Sequence, residues 1–173
     1  MPTTISDLDV FLLQGPEEAR PHWVSNFTVP TANEILLRLR TDDGIEGFGL
    51  ATSYTNAEPI LHVFRSGITE RLIGANPLAA EHIYEDLFSL SSKRLAHQKN
   101  WGREALVRVS AAVDVACWDI IGKKAGLPLY QLFGGYRDQV PYYVTCAYYR
   151  DGKDLTELRD EITELKEQGH RGF

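Results

Sequence analysis

Apolar and polar residues alternate over residues 33–53, "NEILLRLRTDDGIEGFGLATS", and again over 5–13, "ISDLDVFLL". A period of two is the mark of a strand that buries one face. Asp42-Asp43-Gly44 interrupts the longer stretch with a hairpin signal, since glycine takes up the positive φ that a tight turn asks for. Three strands of a small antiparallel sheet are therefore predicted. Residues 14–32 separate the first strand from the hairpin, with three prolines among polar and aromatic side chains. That is too long for a tight turn, and loops of this length are usually functional or mobile.

From residue 56 the period becomes helical. Leu61, Phe64, Ile68 and Leu72 share one face, and Gly74 stops the run. Asn76 followed by Pro77 predicts a new helix, as an N-cap with proline at the first helical position, continuing to about residue 90. Residues 91–102, "SSKRLAHQKNWG", are basic and polar and are predicted to form a solvated connector. A third helix is predicted from about Gly102 to Ala125, ended in the usual order by Gly126 and Pro128. Glu104 with Arg108 and Asp119 with Lys123 make two pairs at i,i+4 on one face of it, with the acid N-terminal. Asp114 falls on the opposite, apolar side and should point into packing, where a carboxylate needs a partner. Further on, "VPYYVTCAYY" at 140–149 reads as a strand. Residues 154–169 read as a helix, with Leu155, Leu158, Ile162 and Leu165 as its apolar stripe and Asp154 with Glu157 as a capping-box-like start.

Composition narrows the classes. The 173 residues, 43% hydrophobic and 24% charged, can bury one core and part of another. A net charge of −6 lacks the clustered Lys and Arg of a nucleic-acid surface, while small anionic substrates remain open through local charge or a metal. The N-terminus has no basic leader, and its apolar stretch is broken by Asp7 and Asp9. No window reaches the roughly 18 apolar residues of a membrane span, so a cytoplasmic location without membrane partners is expected. Cys117 and Cys146 sit among apolar residues with no ligand at metal spacing, which favours buried reduced thiols over a disulfide or zinc site.

The stretch "SAAVDVACWDIIGKKAGLPLYQLFGG" resembles the enolase superfamily, in its mandelate racemase and muconate lactonizing enzyme branch. The resemblance is carried by Ala111-Ala112, Asp114 with Ala116, Asp119, Gly122-Lys123, Pro128-Leu129 and Leu132-Phe133-Gly134. Val109 and Cys117 depart from it by small apolar exchanges within a packed helix. The order of predicted elements follows the same family along the whole chain. The resemblance implies an α+β capping domain over residues 1–134, a small antiparallel sheet with a three-helix layer. Residues 135–173 would then be the first strand–helix unit of a modified (β/α) barrel, incomplete within this chain.

What such a family does is abstract the proton α to a carboxylate and hold the enediolate on Mg²⁺. By this resemblance the metal ligands, the catalytic acid/base groups and a Lys-x-Lys of strand two are expected beyond Phe173, leaving no catalytic or metal residue here. Two loops of the capping domain would shape the substrate end. Arg20, His22, Trp23 and Asn26 belong to the first, where Arg20 and His22 could hold a distal carboxylate or hydroxyls and Trp23 exclude water. Ser53 and Tyr54 belong to the second, and Tyr148, with Cys146, approaches from the end of barrel strand one. The function implied is that of an acid-sugar dehydratase, acting on a small carboxylate or acid-sugar substrate as a homo-oligomer in full-length form. The alternatives are a cycloisomerase or racemase of the same superfamily, or a truncated, non-catalytic interaction module.

Overall fold

The computed structural model describes residues 3–15, 21–23, 28–29, 33–54 and 56–173. They fall into two units, one made of Met1–Gln14 and Ala32–Tyr136, the other of Gly15–Thr31 and Arg137–Phe173.

In the first unit, β1 (Ile5–Gln14) pairs antiparallel with β4 (Asn33–Thr41), which pairs antiparallel with β5 (Glu46–Ser53), in the sheet order β1-β4-β5. The two intervening two-residue strands, β2 (His22–Trp23) and β3 (Thr28–Val29), belong to the second unit. Alternation in β4 does what its period predicts. Ile35, Leu37 and Leu39 are wholly buried, while Glu34, Leu36, Arg38 and Arg40 form the other face. There Arg38 lies 2.6 Å from Asp9 across the strand pair and Arg40 pairs with Asp7, so charges on that face are matched by opposite charges on the neighbouring strand. The β4–β5 turn closes through Gly44 at φ 85°, and Asp43 accepts hydrogen bonds from Thr41 Oγ1 at 2.5 Å and Thr3 Oγ1 at 3.2 Å.

The helical layer differs from its sequence reading in three places. Instead of one helix over 56–74 there are α1 (Glu58–Val63), a wide π turn (Phe64–Ile68) and α2 (Thr69–Leu72). Gly67, at φ 140°, breaks the run, because no helix accommodates that angle. The predicted face survives the break, with Leu61, Phe64, Ile68 and Leu72 all buried. Secondly, α3 (Ala80–Ser89) starts three residues after Pro77. Asn76 caps a turn instead, accepting from the Leu78 amide at 3.0 Å, and Ala79 leaves helical space at φ −99°, ψ 51°. Thirdly, the expected connector at 91–102 holds α4 (Arg94–Gln98), drawn into structure by three apolar anchors: Leu90, Ala96 and Trp101 are buried. Trp101 also donates its indole N–H to Ser66 Oγ at 2.6 Å.

Against the buried face of the sheet lies α5 (Arg103–Ala125). Gly47 and Gly49 permit the approach, since a Cβ at either position would meet the carbonyl oxygens of Ala116 or Ala112 at 2.2 and 1.9 Å. Its charged stripe serves as the border of the sheet, a use its spacing did not reveal. Asp119 accepts the Phe48 amide at 2.9 Å, Lys123 donates to the Glu46 carbonyl at 2.7 Å, and Arg108 donates to the Thr52 carbonyl. These are groups of β5 that β4 leaves unpaired, and an open strand edge would expose them. Gly126, at φ 66°, ends the helix, and the Leu127 amide reaches back to the Gly122 carbonyl at 3.1 Å. A single turn, α6 (Leu129–Leu132), follows.

Asp114 is half-buried, not enclosed as its place on the helix suggested. Burial raises its pKa, the Trp118 indole N–H bonded to it opposes that, and Glu81 adds to it. Nearby Cys117 is fully buried, its thiol pushed up to about 12 by burial and by the Asp114 charge. Cys146 is only half-buried, and both cysteines are free thiols. No helix among the described residues is long and apolar enough to cross a membrane.

In the second unit α7 (Leu155–Glu167) begins where its sequence predicted, with Asp154 Oδ1 accepting the amides of Thr156 and Glu157 at 2.9 Å each. The strand expected at 140–149 forms no ladder among the described residues. It keeps one bridge, Trp23 to Tyr149, and one bond to the chain end, from the Val144 amide to the Gly172 carbonyl at 2.9 Å. A strand is defined by its neighbours, and here a continuous neighbour on either side is missing from the described residues.

Candidate substrate-recognition site

Two aromatic dipeptides meet in the second unit. β2 and β3 pair His22 with Val29 and Trp23 with Thr28, and Val29 is buried, which anchors the short ribbon. The Trp23 amide donates to the Tyr149 carbonyl at 2.9 Å, and the two rings stack with centroids 4.6 Å apart at 23°. One residue back on both segments, His22 and Tyr148 lie 4.6 Å apart at 41°. His22 Nδ1 is shielded from solvent and has no hydrogen-bond partner among the described residues. A polar atom so placed is costly unless something arrives to satisfy it.

Beside this aromatic cluster runs a groove of about 440 Å³. Trp23, Tyr148 and Tyr149 form one wall, Leu155 and Leu158 of α7 another, and Arg150, Lys153 and Asp154 bring charge to it. Lys153 is tied to Glu161, which also accepts the Ala147 amide at 3.0 Å. Lys153 foremost, then that amide, hold the Glu161 carboxyl below the usual carboxylate range.

Of the residues singled out from sequence, His22, Trp23 and Tyr148 are together here. Arg20 and Asn26 lie outside the described residues. Ser53 and Tyr54 stand in the first unit at the end of β5. Ser53 is buried and donates to the Asn56 carbonyl at 2.8 Å, which fixes the turn into α1, and it lines a hollow of about 260 Å³ with Glu104 and Arg108. Tyr54 exposes about half of its surface (48%). The alternation that was to send Cys146 and Tyr148 the same way is broken between them, because Ala147 sits in the left-handed region at φ 62°. Tyr149, Lys153 and Glu161 escaped the sequence reading altogether. A spacing of eight residues between Lys153 and Glu161 fits no pairing rule, since Lys153 stands just before the helix start and Glu161 within α7.

Chemically the cluster is suited to recognition. Stacked aromatic rings offer a face to the C–H surface of a polyol, and a recessed imidazole nitrogen offers a hydrogen-bonding atom for a hydroxyl. As for Mg²⁺, no three of His, Cys, Asp and Glu converge into a possible site among the described residues. The residues described here therefore do not fit that ion.

Comparison with known proteins shows the family. The family model "Mandelate racemase / muconate lactonizing enzyme, N-terminal domain" matches residues 7–134. A D-mannonate dehydratase of Rhizorhabdus wittichii is 36% identical over 148 residues, covering 84% of this chain and 34% of that protein. An arabinonate dehydratase of Saccharolobus solfataricus is 28% identical over 140 residues, covering 80% and 36%. Among solved structures, the L-talarate/galactarate dehydratase of Salmonella typhimurium LT2, liganded with Mg and L-lyxarohydroxamate, superposes with a TM-score of 0.77 at 25% identity, covering 97% of this chain and 42% of that one. The chain thus spans about a third of the length of the curated relatives it matches.

Proposed function

Since the chain belongs to the mandelate racemase/muconate lactonizing enzyme family of the enolase superfamily, we propose that it is the N-terminal part of a Mg²⁺-dependent acid-sugar dehydratase. In this reading residues 1–134 are the capping domain and 135–173 open the barrel. Dehydration takes the proton α to the carboxylate and releases the β-hydroxyl as water, leaving an enol that becomes a 2-keto acid. Mg²⁺, when bound, would supply positive charge to the substrate carboxylate, and in this reading its ligands and the base would come from barrel strands outside these 173 residues.

The part played by this chain is to receive the far end of the substrate. His22 Nδ1 bonds a substrate hydroxyl, and Trp23 with Tyr148 walls that end off from water. Arg20 and Asn26 of the same loop are part of this proposal, and Ser53 with Tyr54 of the first unit are proposed separately as substrate-binding residues. The observation that carries the reading is the unsatisfied His22 Nδ1 beside the Tyr148 ring in a chain whose relatives are acid-sugar dehydratases.

Two measurements test it. These 173 residues alone should show neither Mg²⁺-dependent turnover of acid sugars nor a specific Mg²⁺ site by calorimetry, whereas a chain extended through the remaining barrel strands shows both. In that longer chain His22→Ala should raise KM for an acid sugar by roughly tenfold, the worth of one hydrogen bond to a ligand hydroxyl. Turnover by the short chain, or an unchanged KM in the variant, would sink the proposal.

A further inference from the structure

Ala147 carries the one non-glycine residue of the second unit described with a positive φ, 62°. For a residue with a Cβ that conformation costs about 1 kcal/mol or more, so the surroundings must impose it. They do so from both sides of the Ala147–Tyr148 pair. The Ala147 amide donates to Glu161 Oε1 at 3.0 Å, and the Tyr148 carbonyl accepts from Lys153 Nζ at 3.1 Å. Glu161 Oε2 and Lys153 Nζ then bond to each other, which closes the arrangement. The next carbonyl, that of Tyr149, is the one that receives the Trp23 amide. An ordinary surface pair holds little, but the Lys153 side chain is only 10% exposed and spends its protons on two named acceptors.

We propose that Glu161 and Lys153 are positioning residues that clamp the left-handed turn at Ala147 and thereby set where Tyr148, Trp23 and His22 stand. The functional meaning rests on the reading of those three as substrate-facing. Glu161 and Lys153 act through the Ala147 N–H and the Tyr148 carbonyl, which flank the turn: without them the turn relaxes toward extended backbone, alternation resumes, and the Tyr148 and Tyr149 rings exchange sides. The device would let α7 govern the shape of the recognition cluster from behind.

The test uses the 173-residue chain and nuclear magnetic resonance of its amides and indoles. Glu161→Gln and Lys153→Met should each speed exchange of the Trp23 amide by about tenfold, as expected when one local restraint is lost. Both should also displace the Trp23 indole resonance as its stacking on Tyr149 is lost, while the Trp101 and Trp118 indoles stay in place. Lys153→Arg, which keeps the charge, should restore most of both signals. Asp154→Ala loosens the start of α7 without removing either clamp residue, and should leave Trp23 where it was. Trp23 signals unmoved by Glu161→Gln and Lys153→Met would overturn the clamp. So would equal displacement by Asp154→Ala, since a general loosening of α7 would then explain everything. None of these signals needs metal, substrate or turnover, so the clamp and the dehydratase reading fail independently.

Discussion

Gly49 shows how a single residue sets the spacing of two layers. An added Cβ would stand 1.9 Å from the Ala112 carbonyl oxygen, and backbone cannot swing aside as a side-chain tip can. Gly49→Ala should therefore destabilise the chain by about 1–3 kcal/mol, read from the urea midpoint, whereas Gly102→Ala, with nothing within 4 Å of its new methyl, changes it by much less. Asp114 behaves differently. Its pKa is raised, so the folded state holds the proton more tightly than the unfolded state does, and stability is lost as pH rises from the unfolded carboxylate value through the raised folded one. Asp114→Asn keeps an acceptor for the Trp118 indole and carries no charge. Its stability should equal or exceed that of the parent at pH 7, with the gap closing toward pH 3; a deficit at pH 7 alone would contradict the sign. Sequence placed Asp114 on the apolar side of its helix correctly, but how deeply that side is covered depends on neighbours that the helix's own periodicity does not contain.

At the scale of elements, α5 does two things with one surface. Its apolar side fills the core, and its Asp119, Lys123 and Arg108 satisfy peptide groups along β5. Asp119→Ala would leave the Phe48 amide without its acceptor and remove the partner of Lys123, 2.8 Å away. A loss of about 1 kcal/mol is expected, together with faster exchange of the Phe48 amide; a loss of stability with that amide still protected would mean that the helix surface, not the strand edge, had been damaged. The i,i+4 pairing was legible, because helical spacing alone creates it. Its target on β5, 71 residues away for Asp119 and Phe48, was not. The break at Gly67 illustrates the opposite limit: the apolar face over 61–72 was readable, yet a wide turn keeps that face buried while abandoning the regular helix.

Across the first unit as a whole, Asp43 ties its own turn to two distant pieces of chain. It accepts from Thr3 before β1, from Thr41 at its own turn, and from Lys124 at the end of α5 at 2.5 Å. Lys124 foremost, then Thr41, lowers its pKa to about 2 from an ordinary 3.8. A depressed carboxylate contributes stability that is present above the unfolded value and is lost as pH falls through the folded one. Acid unfolding should accordingly steepen between about pH 4 and 2, and Asp43→Asn should flatten the curve in that window and nowhere else. An unaltered acid curve in the variant would show that Lys124 and Asp43 do not act together in solution.

What the sequence determined by itself was everything local or periodic. The strands β1, β4 and β5 follow from alternation, α5 and α7 from helical spacing with their glycine and aspartate ends, and family membership from a run of small and charged residues in one helix. Those signals are carried by near neighbours along the chain. Tertiary structure alone decided that the polar stripe of α5 borders β5, that residues 140–149 form no ladder among the described residues, and that His22 and Trp23 meet Tyr148 and Tyr149 across more than a hundred residues. Each of these depends on groups brought together by chain reversal, where peptide N–H and carbonyl groups must find partners that no sequence window contains.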